Sequence, residues 1–471
     1  MSDLADLVDS NTNETCEELT LSNGIGTGLL QNDSVWCRFK FLKKLDLNNS
    51  ELSTLPSGIE ALSPTLEILF LSENNFEAFP ECLGNLNRLR MLSLRGNRLT
   101  ELSSSNLPKK SLVWLILTNN QISRIDPNVG ELKELRKLML SHNKLSSIPS
   151  ELEGCKNLEL VRLANNEITT ELPKEFVTLP KLAWISLAGN PIAHCPQTKE
   201  KEILKSSVSF TESDVLGKGA SGIVYAGKYS GKDVAVKIFK QQSMGSDGNP
   251  EDEAAINALI DHPLAVSALG FFLCDENEKH EGMVMPLLDG AKTIGRVPSF
   301  DTVTRDAGPT NDAIDLDRES VLSIVWNVAT ALEHVHRKAG VSNGDVYLHN
   351  ILMCKVGTAR ISDWGASFIY DGNHDFADVF ERIEVLAFGR LVQDLFDWYL
   401  NSSLPDLTEP ADFLGRTRGV PLESGPFYDL VQSILQPDQH KRPSFKEIKS
   451  TLSQLPEFER ARHAADRVAC S

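Results

Sequence analysis

Long apolar runs are missing from this sequence. A helix that crosses a bilayer needs about 20 consecutive apolar residues, and the nearest candidates here are short runs such as LVWLIL. The first forty residues begin MSDLADLVDS and are acidic and polar, without the basic start and apolar segment of a secretory signal. We therefore expect no membrane span and no signal peptide, and we expect residues 1–40 to form a disordered acidic leader.

Basic residues and paired cysteines are also scarce. Lys and Arg total 47 against 65 Asp and Glu, so the formal net charge is -18. A surface that neutralises nucleic-acid phosphates needs the opposite sign, and we expect no nucleic-acid partner. The eight cysteines are scattered, with no CxxC pair and no Cys/His cluster at zinc spacing. This pattern indicates reduced thiols and a cytoplasmic location.

The first half of the chain repeats one pattern, LxxLxLxxNxL, at spacings of 24, 23, 23, 23, 23 and 24 residues. The seven copies begin at Leu42, Leu66, Leu89, Leu112, Leu135, Leu158 and Leu182. Alternating leucines predict a short strand with its apolar side chains in a core. An Asn after the strand can bind backbone groups in the turn. It occurs as Asn97, Asn120, Asn143, Asn166 and Asn190, with Ser50 in the first copy. The copies resemble leucine-rich repeats, which implies an α/β solenoid over residues 41–195.

The positions between the core leucines would point into the hollow of such a solenoid. They form an apolar and aromatic stripe that consists of Ile68, Phe70, Met91, Trp114, Ile116, Met139, Leu160 and Trp184. Because exposed apolar patches mark partner sites, we expect a protein partner on the concave repeat face. The alternative is that the stripe packs against the leader or the second half of the same chain.

A different set of motifs begins after a polar linker at residues 196–209. In chain order these motifs are VLGKGASGIVYAGK, DVAVKIFK, EDEAAINALI, SNGDVYLHNILM and ISDWGAS. A glycine loop alone is weak evidence because GxGxxG also opens dinucleotide folds, but five landmarks in this order resemble the protein kinases. The resemblance implies a two-lobed α+β protein-kinase fold over residues 210–455, with a C-terminal tail over residues 456–471.

The kinase resemblance implies a nucleotide site made by the glycine loop and the hinge. Glycines let backbone amides approach a triphosphate, and the hinge contacts the adenine. The residues at these positions are Gly217, Gly219, Gly222, Val224, Met285, Pro286 and Leu288. ATP is the implied cofactor.

The same resemblance assigns a phosphate contact to Lys237. This lysine needs an acidic partner on the following helix. Glu253 is our choice, because it lies ten residues before the Pro of DHP, and Glu251 is the alternative.

The resemblance also assigns the catalytic groups of NGDVYLHN and ISDWG. Asp345 corresponds to the base that accepts or orients the proton of the substrate hydroxyl, and Asn350 and Asp363 correspond to the Mg²⁺ ligands. Metal binding and the base are therefore both retained.

Several positions depart from the usual kinase pattern. Residues 343–345 read NGD instead of His-Arg-Asp, Tyr347 replaces the catalytic-loop Lys, and Trp364 replaces the Phe after the metal Asp. Without that Lys, either His349 or another group steadies the transferring phosphate, or turnover is slow. The stretch from about residue 291 to residue 317 is an insertion without a motif.

Two further departures concern regulation and the anchoring of the catalytic loop. Gly344 stands where many kinases have an Arg that pairs with a phosphorylated activation segment. We therefore expect catalytic competence not to depend on a phosphate at Ser367 or Tyr370. Glu384 stands where an Asp commonly anchors the catalytic loop.

The sequence thus resembles soluble leucine-rich-repeat protein kinases with a GD-x-Y-x-HN catalytic loop. The implied function is ATP-dependent transfer of the γ-phosphate to protein hydroxyls, with Ser/Thr favoured over Tyr, in signal transduction. The repeats would serve as a protein-recognition module. The alternative is an ATP-binding pseudokinase scaffold that acts through the repeats.

Overall fold

The chain divides into two units, Met1–Leu179 and Pro180–Ser471. The computed structural model describes residues 15–21, 33–193, 201–219, 221–240, 248–273, 280–309, 314–354, 358–370, 377–400, 402–403, 420–421 and 424–469. The division falls before the seventh sequence repeat, which belongs to the second unit.

Short parallel strands recur along the first unit. They are β1 (Glu18–Thr20), β2 (Lys44–Asp46), β3 (Ile68–Phe70), β4 (Met91–Ser93), β5 (Glu101–Leu102), β6 (Trp114–Ile116), β7 (Arg124–Ile125), β8 (Lys137–Met139) and β9 (Leu160–Arg162). Within the unit the main sheet has the order β1-β2-β3-β4-β6-β8-β9, and β5 pairs with β7. The central residue of each strand from β2 to β4, such as Leu69 or Leu92, is fully buried, as the alternating leucines predict.

Short helices and 3-10 turns alternate with these strands along the chain. They are α1 (Asp33–Trp36), α2 (Lys174–Val177) and the 3-10 turns Ser57–Leu62, Glu81–Asn85, Pro127–Glu131 and Ser150–Gly154. Two of these turns approach so closely that a Cβ atom on Gly130 would lie 2.3 Å from the Glu151 carbonyl oxygen. Glycine is required there because the backbone of the next turn occupies the space of a side chain.

A column of buried asparagines connects successive repeats. The Asn143 side-chain nitrogen donates to the carbonyls of Leu117 and Leu140 at 3.0 Å each, and its oxygen accepts from the Ile122 amide at 2.9 Å. The equivalent residues Asn74, Asn97, Asn120 and Asn166 make the same set of contacts. The predicted role of the repeat asparagines is thereby confirmed, and Asn74 is added to them.

The expected disordered leader needs correction. Strand β1 pairs in parallel with β2, with Leu19 opposite Leu45, and α1 lies inside the first forty residues. Leu19 and Trp36 are 8% and 1% exposed, so burial of these apolar side chains orders the two stretches. The rest of that expectation, for residues 1–14 and 22–32, lies outside the described residues.

The second unit contains an antiparallel sheet and several short pairings. Its strands are β10 (Trp184–Ser186), β11 (Val208–Lys218), β12 (Gly222–Tyr229), β13 (Lys232–Phe239), β14 (Gly270–Leu273), β15 (His280–Pro286), β16 (Lys292–Thr293), β17 (Val341–Ser342), β18 (Ile351–Met353), β19 (Ala359–Ile361), β20 (Phe368–Ile369), β21 (Ser402–Ser403) and β22 (Val420–Pro421). The main sheet has the order β11-β12-β13-β15-β14, while β16-β18-β19, β17-β20 and β21-β22 form small sheets.

Helices dominate the rest of this unit. They are α3 (Pro250–Leu259), α4 (Arg318–Ala339), α5 (Ala377–Tyr399), α6 (Pro426–Ile434), α7 (Phe445–Gln454) and α8 (Glu459–Ala469), with 3-10 turns at Pro191–Ala193, Lys205–Ser207, Leu348–Asn350, Gln439–Lys441 and Pro456–Phe458. Asp317 caps α4 by accepting from the Ser320 amide at 2.8 Å, and Gly340 ends it at a φ of 59°. Within the described ranges, no helix is both long enough and apolar enough to cross a membrane.

We predict that Asn143→Ala lowers the free energy of unfolding of the first unit by ~1–3 kcal/mol, because the buried Ile122 amide loses its partner. Urea unfolding followed by circular dichroism measures the change. The control is Asn157→Ala, which removes a surface hydrogen bond to the Lys133 carbonyl and should cost less than about 0.5 kcal/mol. Equal losses in the two variants would contradict the role of the column.

Candidate active site

A cavity of about 380 Å³ lies in the second unit where the antiparallel sheet meets the loops that follow α4. The predicted nucleotide and metal residues all line it, namely Gly217, Gly219, Gly222, Val224, Lys237, Glu253, Met285, Pro286, Leu288, Asn350 and Asp363. Asp345 is not on the wall itself and is joined to it through Asn350. The structure therefore brings the sequence-predicted residues together in one place.

The glycine loop forms one wall of the cavity between β11 and β12. The Gly219 amide donates to the Gly222 carbonyl at 2.9 Å and closes the turn. A Cβ atom on Gly222 would lie 2.5 Å from the Ile238 carbonyl oxygen, whereas one on Gly217 would meet no atom within 4 Å. Gly222 is thus required by the packing of the protein itself, while Gly217 leaves open space beside the backbone.

A buried ion pair joins the sheet to α3. The Lys237 Nζ lies 2.5 Å from Glu253 Oε1, and the two residues are 7% and 3% exposed. Asn249 caps the helix by accepting from the Asp252 amide at 2.8 Å, which places Glu253 in its first turn. Lys237 therefore contacts Glu253, while Glu251 lies two residues earlier and is half-buried.

The catalytic loop orients Asp345 through Asn350. The Asn350 side-chain nitrogen donates to the Asp345 Oδ2 at 2.8 Å and to the Asp345 carbonyl at 2.9 Å. Both amide hydrogens point at Asp345, so the amide oxygen is the atom that can face a cation. Asp363 is exposed to the cavity at a φ of 59°, a left-handed conformation that is uncommon outside glycine and is frequent at functional sites.

Glu384 holds the segment just before Asp345. One of its carboxylate oxygens accepts from the Gly344 amide at 2.7 Å and from the Ser342 hydroxyl at 3.0 Å. The other lies 2.6 Å from His336 Nε2. The expected anchoring position of Glu384 is confirmed by these contacts.

Asp306, from the insertion without a motif, holds the segment just after Asp345. It accepts from the Leu348 amide at 2.8 Å and is hydrogen-bonded to His349 Nδ1. Burial alone would lower the pKa of His349, but the hydrogen bond and negative charge of Asp306 outweigh burial and raise it. The neighbouring Arg305 forms a buried ion pair with Asp394 of α5 at 2.7 Å, which fixes the insertion.

Sequence reasoning missed Asp306 because no spacing connects it with the catalytic loop. It lies 42 residues before Leu348, its hydrogen-bond partner. The available signal was the Arg-Asp pair of TRD, but the insertion contains other charged residues such as Asp301, and such a pair is common on solvated surfaces.

The described part of the activation segment buries its hydroxyl groups. The Ser367 hydroxyl donates to the Asn343 carbonyl at 3.0 Å, and Ser367 is 1% exposed. The Tyr370 hydroxyl lies 2.7 Å from His336 Nδ1, and burial raises the pKa of Tyr370. Trp364 is also buried, and its indole nitrogen donates to the Val266 carbonyl at 2.8 Å.

Comparisons with known proteins match both parts of the chain. A family model described as protein kinase domain matches residues 210–387, and one described as leucine rich repeat matches residues 41–99, 110–168 and 133–192. A family match to a kinase domain implies ATP and a divalent metal.

Several curated proteins are similar to the chain. A probable LIM domain-containing serine/threonine-protein kinase of Dictyostelium discoideum is 27% identical over 294 residues, which cover 55% of this chain and 40% of that protein. A receptor-like serine/threonine-protein kinase of Arabidopsis thaliana is 27% identical over 163 residues, 34% of this chain and 23% of that protein. Activin receptor type-1 of Gallus gallus is 23% identical over 274 residues, 51% of this chain and 47% of that protein.

Each of these matches spans less than half the length of the relative. The order of the two family models, repeats first and kinase second, is the order predicted from the motifs, and the predicted resemblance and fold class are confirmed. The chain contains leucine-rich repeats followed by a protein kinase domain.

Proposed function

We propose that this protein is an ATP-dependent protein kinase that transfers the γ-phosphate to protein hydroxyls, with Ser and Thr favoured over Tyr. The observation that carries the proposal is the closed Lys237–Glu253 ion pair on the same cavity as Asn350 and Asp363. Lys237 is 7% exposed. Burial of its ammonium group costs free energy unless the charge is paired or binds a ligand. Its pairing with Glu253 holds the ammonium group at the cavity wall.

ATP and Mg²⁺ fit the residues present. The amide oxygen of Asn350 and the carboxylate of Asp363 are hard oxygen donors of the kind that Mg²⁺ prefers. When bound, the cation would neutralise charge that develops on the phosphates. The hinge residues Pro286 and Leu288 offer a carbonyl and an amide to the adenine, and Pro286 is tolerable because only its carbonyl is needed.

The chain's own groups then have separate tasks in the transfer. Lys237 presents positive charge to the inner phosphates, and the ion pair with Glu253 holds the ammonium group in place. Asp345 accepts or orients the proton of the incoming hydroxyl, with its carboxylate fixed by Asn350 at 2.8 Å. Glu384 fixes the Gly344 backbone, so Asp345 is held from the preceding residue as well.

The second candidate is a pseudokinase scaffold that binds ATP and acts through the repeats. The replacement of the catalytic-loop Lys by Tyr347 favours it, since a positive charge near the transferring phosphate is absent at that position. The presence of Lys237, Asp345, Asn350 and Asp363 in one arrangement favours the active enzyme. Purified protein with labelled ATP, Mg²⁺ and a mixed protein substrate distinguishes the two.

We further propose a cytoplasmic protein that acts in signal transduction. Five cysteines in the described part of the chain are free thiols, Cys16, Cys37, Cys82, Cys155 and Cys354. Free thiols suit a reducing compartment. A protein partner on the concave repeat face would supply the signal, and its stripe includes the half-buried Phe70 and Trp114.

We predict that Lys237→Met and Asp363→Asn each reduce phosphoryl transfer by about 100-fold or more, because one removes a phosphate contact and the other a metal ligand. The matched controls are Lys228→Met and Asp261→Asn, which change exposed residues and should stay within about twofold of wild type. Label transfer from ATP to a mixed protein substrate gives the rates. Transfer within about threefold of wild type in both test variants would refute the kinase proposal.

Asp306→Ala should lower kcat by about tenfold or more, because the Leu348 amide and His349 lose their shared acceptor and the catalytic loop loosens. Asp306→Asn keeps an oxygen for the Leu348 amide and should recover part of the rate. Asp301→Ala, at an exposed residue of the same insertion, is the control. Steady-state kinetics with varied ATP measure kcat, and an Asp306→Ala variant as fast as Asp301→Ala would contradict the assigned role.

The double variant Phe70→Ala, Trp114→Ala should weaken capture of a protein partner and leave ATP binding unchanged, since central aromatic residues carry most interface energy. Phe41→Ala removes a 55% exposed aromatic ring outside the stripe and serves as the control. Quantitative pulldown from cell extract, beside fluorescent-nucleotide titration, measures both properties. Identical capture profiles for the double variant and the wild type would count against a partner on this face.

A further inference from the structure

Strand β10, from the seventh sequence repeat, contacts the catalytic loop within the second unit. The Trp184 ring stacks on the Tyr347 ring with centroids 4.6 Å apart and planes 3° from parallel. The Trp184 indole nitrogen also donates to the Val346 carbonyl at 3.1 Å. Trp184 is 2% exposed. For this residue of the apolar stripe, the expected contact with a protein partner is therefore wrong, and the alternative, packing within the same chain, is correct.

The stack extends from β10 to the wall of the cavity. Tyr347 stacks in turn on His349, with centroids 4.9 Å apart and planes 26° from parallel, and His349 lines the cavity. Val346 and Tyr347 directly follow Asp345 in the chain. Trp184 therefore packs on the short segment that connects the proposed base to the cavity wall, where a flexible Lys stands in most kinases.

A second contact joins β10 to the activation segment. The Ser186 hydroxyl donates to the Ala366 carbonyl at 2.6 Å, and both residues are buried. Ala366 lies three residues after Asp363, the proposed metal ligand. A buried hydrogen bond of this kind fixes the backbone it contacts, because the carbonyl would otherwise lack a partner.

The backbone of β10 also explains the glycine in NGD. Gly344 has a φ of 70°, and a Cβ atom there would lie 2.7 Å from the Ile185 carbonyl oxygen and 2.9 Å from the Ala366 carbonyl oxygen. An Arg at residue 344 is thus excluded both by the conformation and by the neighbouring backbone. Many kinases have an Arg at this position, and it orders the activation segment by pairing with a phosphate. In this chain that Arg is absent, and the backbone of β10 lies beside Gly344.

These contacts coexist with an assembled active site. The Lys237–Glu253 ion pair is closed, Asp363 lines the cavity, and Trp364 is buried with its indole nitrogen bonded to the Val266 carbonyl. A segment that blocked the enzyme by distorting it would be expected to break at least one of these arrangements.

We propose that β10 is a built-in brace of the kinase active site, in which Trp184 and Ser186 act as positioning residues for the catalytic loop and the activation segment. The brace takes the place of phosphorylation as the means of ordering both segments. This inference rests on the proposed kinase function, because its consequence for rate requires an active enzyme. Its structural content, the ordering of two segments by β10, does not require activity.

The kinetic test uses the full chain with three variants and one matched control. Trp184→Ala removes the stack and the hydrogen bond, Trp184→Phe keeps a ring without the N–H donor, and Ser186→Ala removes the bond to Ala366. Ser93→Ala is the control, because Ser93 holds the same position in the third repeat copy and lies in the first unit. Labelled ATP and a mixed protein substrate give kcat and the KM for ATP.

We expect Trp184→Ala to lower kcat by about tenfold or more and Ser186→Ala by about threefold or more, with the KM for ATP within about threefold of wild type. Trp184→Phe should retain more than about a third of kcat, since stacking remains. Ser93→Ala should match the wild type. An unchanged kcat in both Trp184→Ala and Ser186→Ala, or an increase in either, would overturn the brace, and an increase would indicate an inhibitory contact.

Hydrogen–deuterium exchange provides a readout that does not depend on catalysis. Peptides covering residues 341–354 and 362–370 should exchange faster in Trp184→Ala and Ser186→Ala than in wild type and Ser93→Ala. Unchanged exchange there overturns the brace, and if Trp184→Ala does not fold, the kcat and exchange of Ser186→Ala decide the question. A wild-type protein without transfer activity but with these exchange differences would refute the proposed function and keep the brace.

Discussion

The candidate active site depends most directly on the hydrogen bonds of the buried Glu384 carboxylate. It is 2% exposed and accepts from the Gly344 amide and the Ser342 hydroxyl, with His336 on its other oxygen. A buried carboxylate is costly unless hydrogen bonds replace the water it has lost. Because those hydrogen bonds come from the residues just before Asp345, they hold this part of the catalytic loop in place.

A second buried carboxylate completes the arrangement from the other side. Asp306 is 1% exposed and binds Leu348 and His349, which follow Asp345. The proposed base thus stands between two segments, each fixed by an acidic side chain from a distant element. The aromatic stack of Trp184 on Tyr347 adds a third contact from β10. Together they hold a loop of irregular backbone in a defined conformation, which a nucleophile-orienting base requires.

Local patterns in the sequence were enough to predict the repeated strands and the glycine loop. The leucine spacing predicted the parallel strands, and the Asn after each strand predicted the buried column exemplified by Asn143, because both depend on neighbours one repeat away. The glycine loop and the lysine of VAVK predicted one wall of the cavity, since their spacing is set by adjacent antiparallel strands. The expectation of disorder was wrong for β1 and α1, because composition does not reveal that Leu19 pairs at a sheet edge beside Leu45.

The sequence by itself determined the two fold classes, their order along the chain and eleven of the residues that line the cavity, because strand periodicity and motif spacing are local properties. Only the tertiary structure decided between Glu253 and Glu251 as the partner of Lys237, and only it revealed that Asp306 supports the catalytic loop and that Trp184 packs on Tyr347. Trp184 and Tyr347 are 163 residues apart in the chain. No periodicity connects such residues, since their contact is created when separate elements pack and bury the side chains against each other.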